Sequence, residues 1–288
     1  APFEGRRGPI TPPDNFLPFA GLPAGSITDD TQLAIITCES ILSCRALDAD
    51  DLARRFADAM DGIRGIGMIT RTALAKIREG HSAAYAAEAA HVELGGKSAG
   101  NGAVMRIAPV AAAFWNDLPA LSRAARAAAG IIHFDPVAQA AAEALAQVIA
   151  LLLSGASMRE QALAVVEALF IEKEPRVAAA LREGATAGAG ELAPHTGFVL
   201  DTLSAAVWAF LEKDNYEECV KASISIGGDT DTTAAGSGAL AGAAWGIEAV
   251  PAAWRENLED AARIRRLAGE LVAFSLGAGP AAPSDRPR

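Results

Sequence analysis

Ile226-Gly227-Gly228-Asp229-Thr230-Asp231-Thr232-Thr233 runs straight into a stretch that reads AAGSGALAGAAWG and ends at Gly246. Two aspartates and three threonines follow a glycine pair, and the run behind them is almost wholly Ala, Gly and Ser. A glycine inside a helix costs about 1 kcal/mol relative to alanine, yet Gly238, Gly242 and Gly246 recur every fourth residue. A helix carrying them is expected to regain that stability from a neighbouring backbone packed very close. The stretch reads as an oxygen-rich turn leading a helix buried deep in the core.

Oxygen ligands without nearby His or Cys suit hard divalent ions. The plain alternative is helix capping, because Asp and Thr are common helix starters. A second cluster far upstream, Ser26-Ile27-Thr28-Asp29-Asp30-Thr31, also opens a helix, with apolar residues following at Leu33, Ile36 and Ile41. Adjacent aspartates repel unless solvated or neutralised. If the two turns meet, four carboxylates present a charge that two divalent cations would balance.

Composition narrows the classes. The chain has 288 residues, 51% hydrophobic and 21% charged, enough apolar material for a large core. A net charge of −10 and a pI near 5.0 argue against a nucleic-acid partner, since phosphate affinity comes from clustered Lys and Arg. Cys38, Cys44 and Cys219 have no metal-ligand spacing, and an odd count does not suggest a disulfide framework. Ala1 to Pro13 lacks the apolar core of a signal peptide. Val137 to Leu153 is apolar enough to mimic a membrane span, but Gln139, Glu143 and Gln147 form a polar stripe, so an amphipathic core helix and no membrane partner are expected. The expected location is cytoplasmic.

Helix patterns follow one another from Thr28 onward. The spacing predicts helices over Gln32–Cys44, over Ala49–Met60 behind Asp48, from Thr70 to Gly80, and from Ser82 to about Val92. Gly95 to Gly102 is a glycine-dense loop. Ala103–Trp115 reads as one helix kinked at Pro109, followed by Leu118–Ala129. Asp135 as cap and Pro136 at the first helical position start a long helix. Ser157 and Glu160 form a capping box, and Arg176–Arg182 is a short helix. Gly184 to Gly197 reads as loop, then Phe198–Leu211, Asn215–Ser223, the Asp231 helix and Leu258–Phe274 complete the count. Residues 1–25 are expected to be a loop over the surface or the site. No period-two strand, linker or fixed-period repeat is visible. The expectation is an all-α fold, a single compact orthogonal multi-helix domain over 1–276 with a disordered tail at 277–288.

Four motifs in order carry a resemblance: Thr28-Asp29-Asp30-Thr31, the loop from Gly100 to Pro109 (GNGAVMRIAP), His133-Phe134-Asp135-Pro136, and Gly228-Asp229-Thr230-Asp231-Thr232. Together they resemble the ADP-ribosylglycohydrolase family, over Ala1 to about Trp254. The resemblance implies a binuclear Mg or Mn centre held by Thr28, Asp29, Asp30, Asp229, Asp231 and Thr232. It implies an ADP-ribose pocket lined by Gly96, Lys97, Ser98, Ala99, Gly100, Asn101, Gly102 and His133, with Asp135 orienting the histidine. Read without the resemblance, the glycine loop is only a loop and His133 a hydrogen-bonded structural residue. Met105 and Arg106 read as a core side chain and a structural ion pair. Family members begin with a helix and a Gly-Asp turn ahead of the point where this sequence starts, and Glu4 matches the glutamate that follows that turn.

The implied reaction is hydrolysis at the anomeric carbon of a ribose joined to a protein side chain, with ADP-ribose as product. Such a carbon develops oxocarbenium character, so the site must supply stabilising charge and an activated water. Proton handling then falls to a carboxylate, with Glu4, Asp30 and Asp231 as the candidates. The family divides between arginine-linked substrates and serine-linked or poly(ADP-ribose) ones, and motif spelling favours arginine. Rival readings are a prenyl or terpene diphosphate enzyme, which lacks its third aspartate here because Leu33 stands in its place, and a histidine–aspartate phosphohydrolase, for which no His-Asp pair exists. The non-enzyme rival is a non-catalytic ADP-ribose-binding relative, whose mark would be lost aspartates.

Overall fold

In the computed structural model, residues 5–7, 10–155, 158–188, 190–192 and 197–277 are described. Helix starts follow the caps that the sequence supplies. Asp48, Ser82, Asp117, Asp135 and Asn215 each accept a hydrogen bond from a first-turn backbone N–H, satisfying donors the helix itself cannot. Fifteen α-helices result among the described residues: α1 (Asp29–Cys44), α2 (Ala49–Ala59), α3 (Met68–Arg78), α4 (Ala83–Glu93), α5 (Gly102–Met105), α6 (Ala108–Phe114), α7 (Leu118–Gly130), α8 (Pro136–Leu153), α9 (Arg159–Lys173), α10 (Pro175–Thr186), α11 (Val199–Glu212), α12 (Tyr216–Ile226), α13 (Thr230–Trp245), α14 (Ala252–Asn257) and α15 (Ala261–Ser275). One contiguous core extends from Ile27 to Leu271.

The axis of that core is α8, against which α5, α6, α7, α9, α10, α11 and α13 all pack. It is long and apolar enough to cross a membrane, but 78% of it is buried inside the protein. Two of its three stripe residues, Glu143 and Gln147, are buried, and Gln139 is half-buried. Glu143 is fully buried and pairs with Arg126 of α7 and Lys173 of α9. Gln147 donates to Ser122 Oγ (2.9 Å) and to Glu143 (3.2 Å). Neighbouring helices bury most of α8, and basic and hydroxyl groups reach inward to its stripe, leaving Gln147 Oε1 without a partner.

Three other expectations are corrected by packing. The predicted helix Ala103–Trp115 is two helices, α5 and α6, parted at Arg106-Ile107, with Pro109 in the first turn of the second, where its missing N–H costs nothing. The predicted Leu258–Phe274 helix starts three residues later, as α15; Leu258, Glu259 and Asp260, the last in a left-handed conformation, link it to α14, a short helix that was not foreseen. Gly184 is not loop but part of α10. A Cβ there would stand 2.5 Å from Ser204 O of α11, so this glycine lets two helices touch. The loop reading of Gly184 to Gly197 missed that approach. Ser157, and the tail from residue 278 on, lie outside the described residues.

The small-residue helix α13 packs against α12, α11, α8 and α1. The expected close backbone is absent at its glycine series. The space beside Gly238 and Gly242 is taken by the Tyr216 ring, and Gly246 is the positive-φ C-cap. The tight approach is made instead by Gly236, where a Cβ would lie 3.2 Å from Ala206 Cβ. Only one face of α13 is deeply buried.

The N-terminal segment is tied to α13's entry turn. A short strand, β1 (Arg6–Arg7), pairs antiparallel with a second, β2 (Gly227–Gly228), and Ile10 N–H donates to Ser225 O (3.1 Å). This two-residue ladder is too short to leave a period-two signal. Further on, Phe19 and Leu22 exchange both backbone hydrogen bonds around Ala20 and Gly21, each with positive φ, the geometry of a two-residue hairpin. Gly25 then meets the α14–α15 link. At φ +84° its missing Cβ would lie 2.0 Å from Asn257 O, while Glu259 N–H donates to Gly25 O (2.9 Å).

Gly21 (φ +81°) has open space around its missing Cβ, so Gly21→Ala isolates the backbone strain and should cost about 1 kcal/mol. Gly25→Ala adds a main-chain collision and should cost about 3 kcal/mol or more. Urea denaturation of both variants checks this, and equal costs would contradict the contact.

Candidate functional site

Two helices begin at acidic turns whose N-cap side chains do not cap them. Thr28 stands at the start of α1 and Asp229 at the start of α13, and neither side chain caps its own helix. Thr28 Oγ1 donates instead to Asp30 Oδ2 (3.1 Å). Asp229 Oδ2 accepts from Asn101 Nδ2 (2.8 Å). Thr28, Asp29, Asp30, Asp229, Asp231 and Thr232 all line one cavity of about 670 Å³. The two motifs, some two hundred residues apart in sequence, are thereby brought together, and capping does not account for the side chains of Thr28 and Asp229.

The upstream turn is held from three directions. Asp29 N–H donates to Arg64 O (2.8 Å). Gln32 accepts from Arg64 N–H (2.8 Å) and donates to Gly62 O (3.1 Å), clamping the 62–65 turn. Glu259 accepts from Ile27 N–H (3.0 Å) and pairs with the Arg64 guanidinium. Gly65, at φ +80°, leaves room for Asp29 Oδ1 where a Cβ would sit 3.1 Å away. Nothing in the sequence reading singled out this Gly62-Ile63-Arg64-Gly65-Ile66-Gly67 stretch, although three glycines in six residues were the available signal.

Electrostatics concentrate on Asp30, which is 6% exposed. Burial first, then the charges of Asp231, Asp29 and Asp229, push its carboxyl up to about 8. Asp231 is also raised, chiefly by burial. Each helix N-terminus contributes roughly half a positive charge, so the two together offset only about one of four negative charges. Asp30 Oδ1 is buried with no hydrogen-bond partner, an arrangement that costs stability unless something else binds it. Among the described residues no three acidic, imidazole or thiol groups already close on one point; the carboxylates are spread around the cavity wall. The donor set is all oxygen, anionic and partly unsatisfied, which fits hard divalent cations. Thr28, Asp29, Asp30, Asp229, Asp231 and Thr232 are the residues that would hold them.

The glycine loop forms the opposite wall. Asn101 N–H donates to Gly197 O (2.9 Å) and Val199 N–H to Ala99 O (3.0 Å), so the loop is pinned to the start of α11. Lys97, Gly100, Asn101, Gly102 and His133 line the cavity, as do Met105 and Gly197. Asn101 spends its amide on Asp229 and on Thr202 Oγ1 (3.0 Å), which makes it an orienter of the acidic turn. His133 is 1% exposed and packs where Cβ atoms at Gly100 and Gly102 would come within 3.3 and 3.1 Å of its ring. Burial, aided by the Arg106 charge, holds its proton affinity well below the usual histidine range, so it is neutral with Nδ1 unpartnered. Arg106 is buried too, donating to Gly102 O and Ala128 O, and burial lowers it to about 10. Its partners are carbonyls, not the carboxylate of an ion pair.

Three residues expected in the pocket are placed elsewhere. Ser98 is fully buried and turned inward, its Oγ 2.7 Å from His91 Nδ1 and accepting from Asp135 N–H (3.2 Å). Gly96 lies beside the His91 ring, and Ala99 packs against the core. None of the three lines the cavity. Asp135 caps α8 through Val137 N–H (2.9 Å); the His133 carbonyl is held instead by Gln139 (3.0 Å). Glu4 lies outside the described residues. A second, apolar cavity of about 760 Å³ shares Thr28, Asp30 and Asp231 with the first. The polar one holds the aspartates and the glycine loop together, and the chemistry belongs there.

The raised carboxyl of Asp30 gives a pH-dependent outcome. Its folded value, about 8, exceeds the unfolded 3.8, so protonation favours the fold, and that contribution fades as pH rises from about 4 to 8. With EDTA present, Asp30→Asn should be more stable than the unaltered protein at pH 8, by an amount on the order of 5 kcal/mol. The two should converge near pH 4. Thermal unfolding across that range checks it, and a pH-independent difference would contradict the buried charge.

The comparisons with known proteins follow the same lines. The ADP-ribosylglycohydrolase family profile matches residues 1–280. The ADP-ribosylarginine hydrolase Tri1 of Pseudomonas putida (strain GB-1) is 29% identical over 87% of this chain and 67% of its own. The ADP-ribosyl-[dinitrogen reductase] glycohydrolase of Rhodospirillum rubrum is 28% identical, covering 88% and 81%. Human ADP-ribosylhydrolase ARH3 is 29% identical, covering 81% and 74%. A solved structure of an ADP-ribosylglycohydrolase-related protein complex superposes with a TM-score of 0.81 at 33% identity, over 96% of this chain and 92% of that one. With a profile matched along nearly its whole length and its motifs gathered on one cavity, this chain belongs to the ADP-ribosylglycohydrolase family.

Proposed function

We propose that the protein hydrolyses the bond between the anomeric ribose carbon of ADP-ribose and a modified protein side chain, with arginine the favoured attachment. The observation that carries this reading is the single cavity in which four aspartates and two threonines face a glycine loop. Two divalent cations, Mg or Mn, bound by the aspartates would supply Lewis-acid polarisation and a lowered water pKa. The protein's own groups do the rest. Asp30 and Asp231, which both line the cavity, are the carboxylates assigned to take and return a proton. Asn101 fixes Asp229, and the neutral His133 supports the loop against which the diphosphate would lie.

Attachment chemistry is argued from the relatives and from the wall. The Pseudomonas putida relative is named for arginine, and a cationic guanidinium is drawn to an acidic cluster. The wall carries a lysine, Lys97, and among the described lining residues its only carboxylates are the four aspartates. That composition keeps serine-linked and poly(ADP-ribose) substrates as the second reading.

An arginine-modified and a serine-modified protein, incubated side by side with equal enzyme and Mg²⁺, test the proposal. Release from the arginine substrate, lost with EDTA, is expected. Asp231→Ala should lower the rate at least 100-fold with an unchanged circular-dichroism spectrum. Release from serine alone would overturn the arginine preference, and release from neither would contradict the hydrolase reading and favour the non-catalytic alternative.

A further inference from the structure

One buried hydroxyl ties the glycine loop to two other parts of the chain. Ser98 is wholly buried. Its Oγ accepts from Asp135 N–H (3.2 Å) and stands 2.7 Å from His91 Nδ1. The last turn of α4, the loop itself and the turn that opens α8 therefore meet at a single atom. A hydroxyl has one proton to give, and a buried one needs an acceptor for it. Asp135 N–H is a donor, so the Ser98 proton goes to His91 Nδ1. The imidazole that receives it is neutral, with its own hydrogen on Nε2.

His91 holds the loop by its backbone as well. Gly96 N–H donates to His91 O (2.9 Å), and the chain doubles back to make that bond through Gly95 and Gly96, both at positive φ (+64° and +79°). The His91 ring also packs against Phe134, with centroids 5.1 Å apart. Phe134 follows His133, whose ring lies against Gly100 and Gly102. His91 itself does not line the cavity, but His133 and the loop residues Gly100, Asn101 and Gly102 do. One imidazole from outside the cavity thus braces the loop and the His133 turn together.

We propose that His91 is a positioning residue, the acceptor that, through Ser98, fixes the glycine loop in the conformation that receives ADP-ribose. The inference rests on the proposed ADP-ribose chemistry of the same cavity. The Nδ1 lone pair is the feature that matters, not the bulk of the ring. Asparagine, whose side-chain oxygen stands near the Nδ1 position, replaces it, whereas leucine fills the space without an acceptor.

Calorimetric titration of the full chain with ADP-ribose in Mg²⁺ buffer tests the assignment. His91→Leu should weaken binding about tenfold, the effect of one buried hydrogen bond left unmade, and His91→Asn should restore it. Ser98→Ala should weaken binding at least as much, and adding His91→Leu to it should change nothing further, because the bond is already gone. Nitrogen–proton NMR of the histidines should show His91 neutral and protonated on Nε2, a signature that holds the test open should His91→Leu fail to fold. A proton on Nδ1 in the unaltered protein would overturn the role of His91 while leaving the ADP-ribose reading intact. So would unchanged affinity in His91→Leu, equal losses in His91→Leu and His91→Asn, or additive losses in the double variant. Failure of the unaltered protein to bind ADP-ribose would overturn both.

Discussion

Four carboxylates forced into one cavity repel each other, and much of the surrounding structure answers that repulsion. Two helix N-termini point at the cluster, contributing partial positive charge but too little to balance it. Arg106 adds a buried charge from behind, and Asn101 ties Asp229 to the glycine loop. The upstream turn is clamped by Arg64 O, Gln32 and Glu259 rather than by its own cap. The result is a preorganised anionic site whose unsatisfied oxygen, Asp30 Oδ1, marks where external positive charge is wanted.

That preorganisation draws on distant parts of the chain. The Thr28 turn rests on the link between α14 and α15 through Gly25 and Glu259. The Asp229 turn is paired with β1 near the start of the chain and reaches the start of α11 through Asn101 and Gly197. His133 stays neutral because burial and Arg106 both oppose its charging, which suits a group packed beneath two glycines. A change in any of these supports is felt at the aspartates even where it touches no ligand.

The caps at Asp48, Ser82, Asp135 and Asn215 were legible because capping is a local contest over backbone N–H groups. The acidic turns were legible because two of them recur in the same chemical form. What escaped were features decided by close approach. Gly25, Gly65 and Gly184 look like any other glycine until an opposing carbonyl or carboxylate is known. The Gln139, Glu143, Gln147 stripe has the period of a solvated face, and the sequence does not show that Arg126 of α7 and Lys173 of α9 reach in to pair with a buried Glu143. Within the glycine loop, Lys97 and Ser98 were indistinguishable in sequence. Two positive-φ glycines and a serine anchor send one side chain to the cavity and the other into the core.

The central claim, that the two acidic turns together form a seat for two divalent cations, is tested most directly by anomalous diffraction from crystals grown with Mn²⁺. The account predicts two anomalous peaks in the cavity, bounded by Thr28, Asp29, Asp30, Asp229, Asp231 and Thr232. A cavity free of anomalous density at saturating Mn²⁺, or peaks confined to surface carboxylates, would contradict it.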